Sequence, residues 1–383
     1  MGTGNEEKML LYIFLFLLSS FLAILDVSKM SKSKKIFTGM FFFFILLFLA
    51  GIRWETGTDW DLYFRFFDQN DSLGDFIANN VDNHGIEFGY GILNFIIKFL
   101  FDDYNVCLFI IAFVVIGIKF RWIYKYSVFP MVALLISFAT YLGDVFFVRQ
   151  TLAIAITLIG FDFIIKREKH MFLLMVAVAA TIHTSAIIFF PAYWIYHMNI
   201  SNKKLICIVL CAIIFGLCGI GTFILNELMG IFSADGGKIS EKIYVYYLLG
   251  DQKENFGQAV DSTTRMLLSY IRRLVFLPFF FYFFKRLSTQ DPYYEGCLKL
   301  VVFGHTMFFL TSIIGIDFAG RLCLYYYVYE ILIISSFMLL GKTVSSKLGI
   351  FFIIFLYSAM KCFYLLYSLG EYYIPFHTLF YFY

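Results

Sequence analysis

Apolar runs about as long as a lipid bilayer is thick recur along the whole chain. They fall near residues 9–25, 36–52, 104–120, 128–145, 147–165, 171–197, 205–225, 266–284, 293–316, 321–340 and 348–367, with polar punctuation between them. Inside hydrocarbon the backbone must bond to itself, so such runs become helices. Composition agrees: 61% of the 383 residues are hydrophobic, only 15% are charged, and phenylalanine alone contributes 51. At roughly 28 residues per span and loop, the length holds about 12–14 transmembrane helices, short or re-entrant ones included. The expectation is an all-α polytopic membrane protein forming a single integral membrane domain over residues 1–383. A soluble fold is excluded. With 30 basic against 27 acidic residues, the charge is too balanced to suggest nucleic acid as a partner. The seven cysteines show neither a CxxC pair nor a metal-binding spacing with histidine, so no metal and no cofactor is expected.

Where the charges sit gives a sidedness. Lysine and arginine gather at Lys29 to Lys35, at Lys119, Arg121 and Lys125, at Lys166, Arg167 and Lys169, and at Lys203, Lys204, Lys285, Arg286, Lys342 and Lys347, which marks these as cytoplasmic loops. The opposite face then receives a long acidic loop, about 53–87, and a second one, about 226–265. Parity makes residues 86–101 re-entrant or interfacial. The run 171–197 exceeds one span and carries His183, Thr184, Ser185 and Pro191, so it reads as two short helices meeting near His183. The tyrosines at 325, 326, 327 and 329 read as an interfacial aromatic belt.

Arg53, Arg149, Arg265 and Arg321 break the cytoplasmic bias, since all fall at outer helix ends. A guanidinium near hydrocarbon is costly unless it meets an acid or an anionic ligand. Asp59, Asp61, Asp144 and Asp317 lie on the same expected side, so spacing alone leaves ion pairing and anion binding both open. In Gly57-Thr58-Asp59-Trp60-Asp61, Thr58 and Asp61 suggest a capping box opening a helix with Trp60, Tyr63, Phe64 and Phe67 on one face. Its N-terminus is a potential anion site, with Gly57 giving access to free amides. Arg149 and Gln150 open another helix, and both side chains suit phosphate or sugar oxygens. His183, packed core residue or general base, is the better base candidate, with Asp59 second.

Four motifs, Arg53-x-x-x-Gly57-Thr58-Asp59-x-x-x-Tyr63, Val148-Arg149-Gln150-x-x-Ala153, His183-x-Ser185-Ala186 and Gly320-Arg321, resemble the EpsG family of Wzy-like polysaccharide polymerases. The resemblance runs from the second helix almost to the C-terminus. It implies a GT-C-like glycosyltransferase in the bacterial cytoplasmic membrane, active site outward. Such an enzyme joins repeat units carried on polyprenyl diphosphate and delivered by a flippase, and its implied partners include a chain-length regulator. Arg53, Arg149 and Arg321 would then grip diphosphate, with Arg265 a weaker addition, Gln150 and Tyr63 would orient phosphate or sugar, and His183 or Asp59 would take the acceptor proton. A flippase of lipid-linked oligosaccharide and a glycan ligase are the rival readings.

Overall fold

The computed structural model describes residues 3–27, 31–57, 59–76, 86–146, 148–220, 223, 262–312, 316–374 and 376–382. Most of the second outer loop lies outside the described residues, as does Thr58. The described residues form helices almost throughout, as the apolar runs require. In order they are α1 (Thr3–Ile24), α2 (Lys32–Ile52), α3 (Trp60–Asp68), α4 (Phe88–Phe101), α5 (Tyr104–Tyr126), α6 (Pro130–Tyr141), α7 (Arg149–Lys166) and α8 (Lys169–Ile182). Then follow α9 (Ala192–His197), α10 (Asn202–Leu217), α11 (Ser262–Leu274), α12 (Leu277–Tyr282), α13 (Phe284–Ser288), α14 (Tyr294–Thr311), α15 (Ile316–Tyr327), α16 (Glu330–Ser336) and α17 (Val344–Tyr373). Among the described residues, three helices are long and apolar enough to cross a membrane, with windows at Ser33–Ile52, Tyr104–Tyr126 and Val344–Tyr367. A fourth is possible if α15 and α16, bent by 50° at their junction, act as one broken span. Four apolar helices are shorter, among them Phe88–Phe101 and Lys169–Ile182. The chain is an all-α polytopic membrane protein.

Contacts divide it into two compact units, Met1–Phe190 with Ile334–Tyr383, and Pro191–Ile333. In the first, α1 packs on α6, α2 on α5, α7 on α8, and α17 on α6. The break near His183 is where the sequence places it: α8 stops at Ile182, His183 is extended, and a 3-10 turn runs from Thr184 to Phe189. In the second unit α14 packs against α10 and α15.

The helix α6 is the main departure from the expected spans. It has only 12 residues, about 18 Å of helix, and ends where Leu142, Gly143 and Asp144 all take positive φ. Asp144 therefore meets Lys119 on α5, at 2.5 Å, with the two side chains 4% and 2% exposed. Lys119 also lies over the Tyr141 ring, 3.9 Å from its centroid. This corrects the assignment of Lys119 to a cytoplasmic loop and of Asp144 to the opposite face. A helix too short to cross carries its end down to the lysine. A cavity of about 10 Å³, room for about one water, lies beside the pair, lined in part by Leu46, Ser137 and Gly143. The expected tyrosine belt is also corrected. Tyr325, Tyr326 and Tyr329 are fully buried and Tyr327 nearly so, its hydroxyl accepting from Arg273 Nε at 2.9 Å.

Candidate functional site

The segment that leads into α3 is built from aromatic packing. Trp54 and Trp60 meet edge-on at 4.8 Å, Phe64 stacks on Trp60 at 5.0 Å, and Tyr104 closes the cluster at 5.5 Å from Trp60. Pairs of this kind add about 0.5–1.5 kcal/mol each beyond the burial of their area. They seat α3 so that Trp60, Tyr63, Phe66 and Phe67 face inward, with Phe64 only half-buried. The helix begins at Trp60 with Asp59 at its N-cap and no side-chain cap bond; the predicted box of Thr58 and Asp61 rests on Thr58, outside the described residues.

Gly57 differs from its expected role. Its φ is +120°, and a Cβ there would sit 3.0 Å from Arg53 Nη1, so both the backbone and the space call for glycine. Its N–H donates to the Tyr372 carbonyl at 2.8 Å and is no open phosphate contact. Around it the loop is stitched to the C-terminal segment: Trp54 N–H donates to the His377 carbonyl at 3.0 Å, His377 N–H donates to Thr56 Oγ1 at 3.0 Å, and Arg53 bridges to Thr378. Arg53 is 2% exposed. Its Nη1 donates to the Phe146 carbonyl at 2.8 Å, in the non-helical segment between α6 and α7. Irregular backbone in a membrane protein needs such a partner. Arg53 is thus a buried bracket for that segment.

Above the bracket, α7 opens at Arg149, as predicted. Arg149 Nε donates to the Tyr63 hydroxyl at 2.8 Å, and Nη1 pairs with Glu87 Oε2 at 2.9 Å. The guanidinium also stands over the rings of Tyr63 and Tyr90, 5.0 and 6.0 Å from their centroids. Glu87 is the N-cap of α4. Its other oxygen, Oε1, accepts from both the backbone N–H and the hydroxyl of Thr184, each at 3.0 Å. Next to Thr184, His183 Nδ1 and Ser185 Oγ share a 2.6 Å hydrogen bond. When Nδ1–H is the donor, Nε2 keeps its lone pair for a proton. Burial pushes the Glu87 carboxyl up, but Arg149, the Thr184 bonds and nearby His183 outweigh it and hold the group below its ordinary value. Burial raises the Tyr63 hydroxyl against the pull of Arg149, so it remains a neutral phenol.

A glycine explains why Glu87 reaches the break in α8. A Cβ on Gly89 would fall 2.4 Å from Thr181 Oγ1 and 2.8 Å from the Thr181 carbonyl oxygen, so only glycine lets α4 approach α8 this closely. Of the predicted residues, Tyr63 and Arg149 are in contact, Gln150 follows Arg149, and His183 joins through Glu87 and Thr184. Asp59 lies one turn before Tyr63 on α3 and is exposed. Arg321, exposed on α15, and Arg265, in the first turns of α11, belong to the second unit. Glu87 and Thr184 went unread as site residues. The available signal was Glu87 at a glycine-spaced helix start, Glu87-Phe88-Gly89-Tyr90-Gly91.

An all-helical membrane protein with an arginine, an acid, a phenol and an imidazole assembled where helices begin and break is equipped to bind an anion beside a base. The EpsG family profile matches residues 36–378, and the chain belongs to that family. Membership implies a glycosyltransferase-type polymerase of exopolysaccharide biosynthesis. Neither a curated protein nor a solved structure matches the chain.

Proposed function

We propose that the protein polymerises oligosaccharide repeat units carried on polyprenyl diphosphate, at the outer face of the bacterial cytoplasmic membrane, in a GT-C-like manner. The acceptor hydroxyl attacks the anomeric carbon of the donor sugar while the bond from that carbon to the diphosphate oxygen breaks. The bonding electrons leave with the diphosphate, and Arg149 meets the charge that develops there. Arg321 is a further candidate for the diphosphate, with Arg265 the weaker one. Tyr63 and Gln150 orient phosphate or sugar oxygens. The acceptor proton passes to His183, with Asp59 as the alternative base. Arg53, the remaining diphosphate candidate, also holds the segment that leads into Arg149. The products are a chain lengthened by one repeat unit and a polyprenyl diphosphate. Donor lipid, acceptor glycan, flippase and chain-length regulator are the partners in this scheme.

The observation that carries the reading is the joint placement of Arg149, on Tyr63 and Glu87, with His183 at the neighbouring helix break. Purified protein supplied with a polyprenyl-diphosphate repeat unit is expected to give a ladder of products, and the ladder is expected to persist in chelator. A ladder lost in chelator moves the activating charge from arginine to a metal. A single transfer to a foreign acceptor without a ladder identifies a ligase. Transbilayer movement of the lipid with no new glycosidic bond identifies a flippase.

A further inference from the structure

The Glu87 carboxylate is shared between two arms of the site. One oxygen holds Arg149 on α7, and the other holds the N–H and hydroxyl of Thr184, the residue after His183. Both side chains of the ion pair are mostly buried, Glu87 12% and Arg149 14% exposed, so water competes little for the ion pair, whereas the Thr184 bonds lie at the exposed helix break. The close packing at Gly89 fixes where the carboxylate starts, leaving little slack along α4. Two reacting groups from different helices must keep their spacing while a glycosidic bond is exchanged, and misplacement of about 1 Å costs on the order of 10²-fold.

We infer that Glu87 is a positioning residue that ties the leaving-group arginine, Arg149, to the His183 arm, setting the distance between them and the charge beside the imidazole. The inference rests on the polymerase reading of this site. Glu87 does not itself take the acceptor proton. Its two oxygens are already committed to one guanidinium, one amide and one hydroxyl, and the bonds it accepts favour its charged form.

Charge supplies a signature that packing alone would not. The base arm works when the imidazole is neutral, so turnover falls on the acid side as His183 binds a proton. Beside that arm stand Glu87 from the start of α4, Arg149 from α7 through Glu87, and Thr184 and Ser185 on its own turn. Of these, Glu87 favours the protonated imidazole, Arg149 opposes it, and the others are neutral. Removing the carboxylate charge therefore shifts the acid limb to lower pH, in the same direction as the pull of an Arg149 left without its partner.

The test is kinetics against pH on the purified full chain with the polyprenyl-diphosphate repeat unit. Glu87→Gln is expected to lower kcat at least about tenfold, with KM changed less, and to move the acid midpoint down by about one pH unit. Glu87→Asp keeps the charge but shortens the reach, so kcat falls while the midpoint stays. Thr184→Val removes one hydroxyl contact on an exposed side chain and is expected to cost about threefold with no shift. The same midpoint is read without turnover by NMR of labelled histidine, using His183→Gln to assign the signal. A Glu87→Gln enzyme with wild-type kcat, or one whose loss comes with unmoved midpoints in both measurements, overturns the inference. If the wild-type protein makes no polymer while its histidine midpoint still responds to Glu87→Gln, the polymerase reading fails and the coupling between the arms stands.

Discussion

Two ion pairs lie a short stretch of chain apart in the first unit, and they differ in almost everything but sign. Lys119 and Asp144 are sealed, 2% and 4% exposed, with a ring over the ammonium and room for about one water. Arg149 and Glu87 are more open, 14% and 12% exposed, and each has further partners: Tyr63 for the arginine, Thr184 for the glutamate. Sealed charges fix backbone, here the left-handed turn that ends α6. Charges with several partners near an exposed helix break can meet a further ligand while the pair stays in place. Both pairs satisfy the membrane rule that buried charge be matched, so charge matching by itself does not mark a site.

The comparison breaks most visibly at the sealed pair. Lys119→Met leaves Asp144 buried without its cation and is expected to cost about 3–5 kcal/mol, read as lost melting temperature and lost abundance in the membrane. Lys119→Met with Asp144→Leu is expected to recover most of it, because the desolvation of both ions is removed together. Were the single variant as stable as the wild type, the sealed pair would not be the brace described here. The open pair should respond in activity instead. Arg149→Ala is expected to lower polymerisation by about 10²-fold or more at normal abundance, and Arg149→Lys nearly as much, since an ammonium lacks the planar fork. Glycan ladders of normal length from cells carrying Arg149→Ala would remove it from the site.

The smallest effect is in acid. Glu87 titrates below its ordinary 4.5 in the folded chain, so its contribution to stability is complete at and above that pH. It is lost as the pH falls through the depressed value. The melting temperature of the wild type should therefore drop more steeply below pH 4.5 than that of Glu87→Gln, and parallel curves would show that the carboxylate is not held in its charged form.

Much of this was readable in residues. The apolar runs located most helices, the polar cluster in 171–197 located the break at His183, and Arg149 does open a helix with Tyr63 facing inward. What escaped was pairing between distant segments. Lys119 reads as one of three basic residues near a helix end, and only the early stop of α6 brings Asp144 to it. Glu87 reads as one more acid in an acidic loop, and its role depends on how closely Gly89 lets α4 approach α8. Tyr325 to Tyr329 read as a belt because tyrosine suits interfaces, whereas packing with α14 puts them inside. Gly57 was legible as a special backbone position but not as a donor already engaged by Tyr372.

The stitching between residues 53–57 and 372–378 bears on how the protein comes into being. The loop that brackets the arginine arm is translated well before its hydrogen-bond partners, with 321 positions between Thr56 and His377. Maturation of the site therefore waits on synthesis of residues 372–378, and a polypeptide terminated before them would insert into the bilayer without acquiring a working centre.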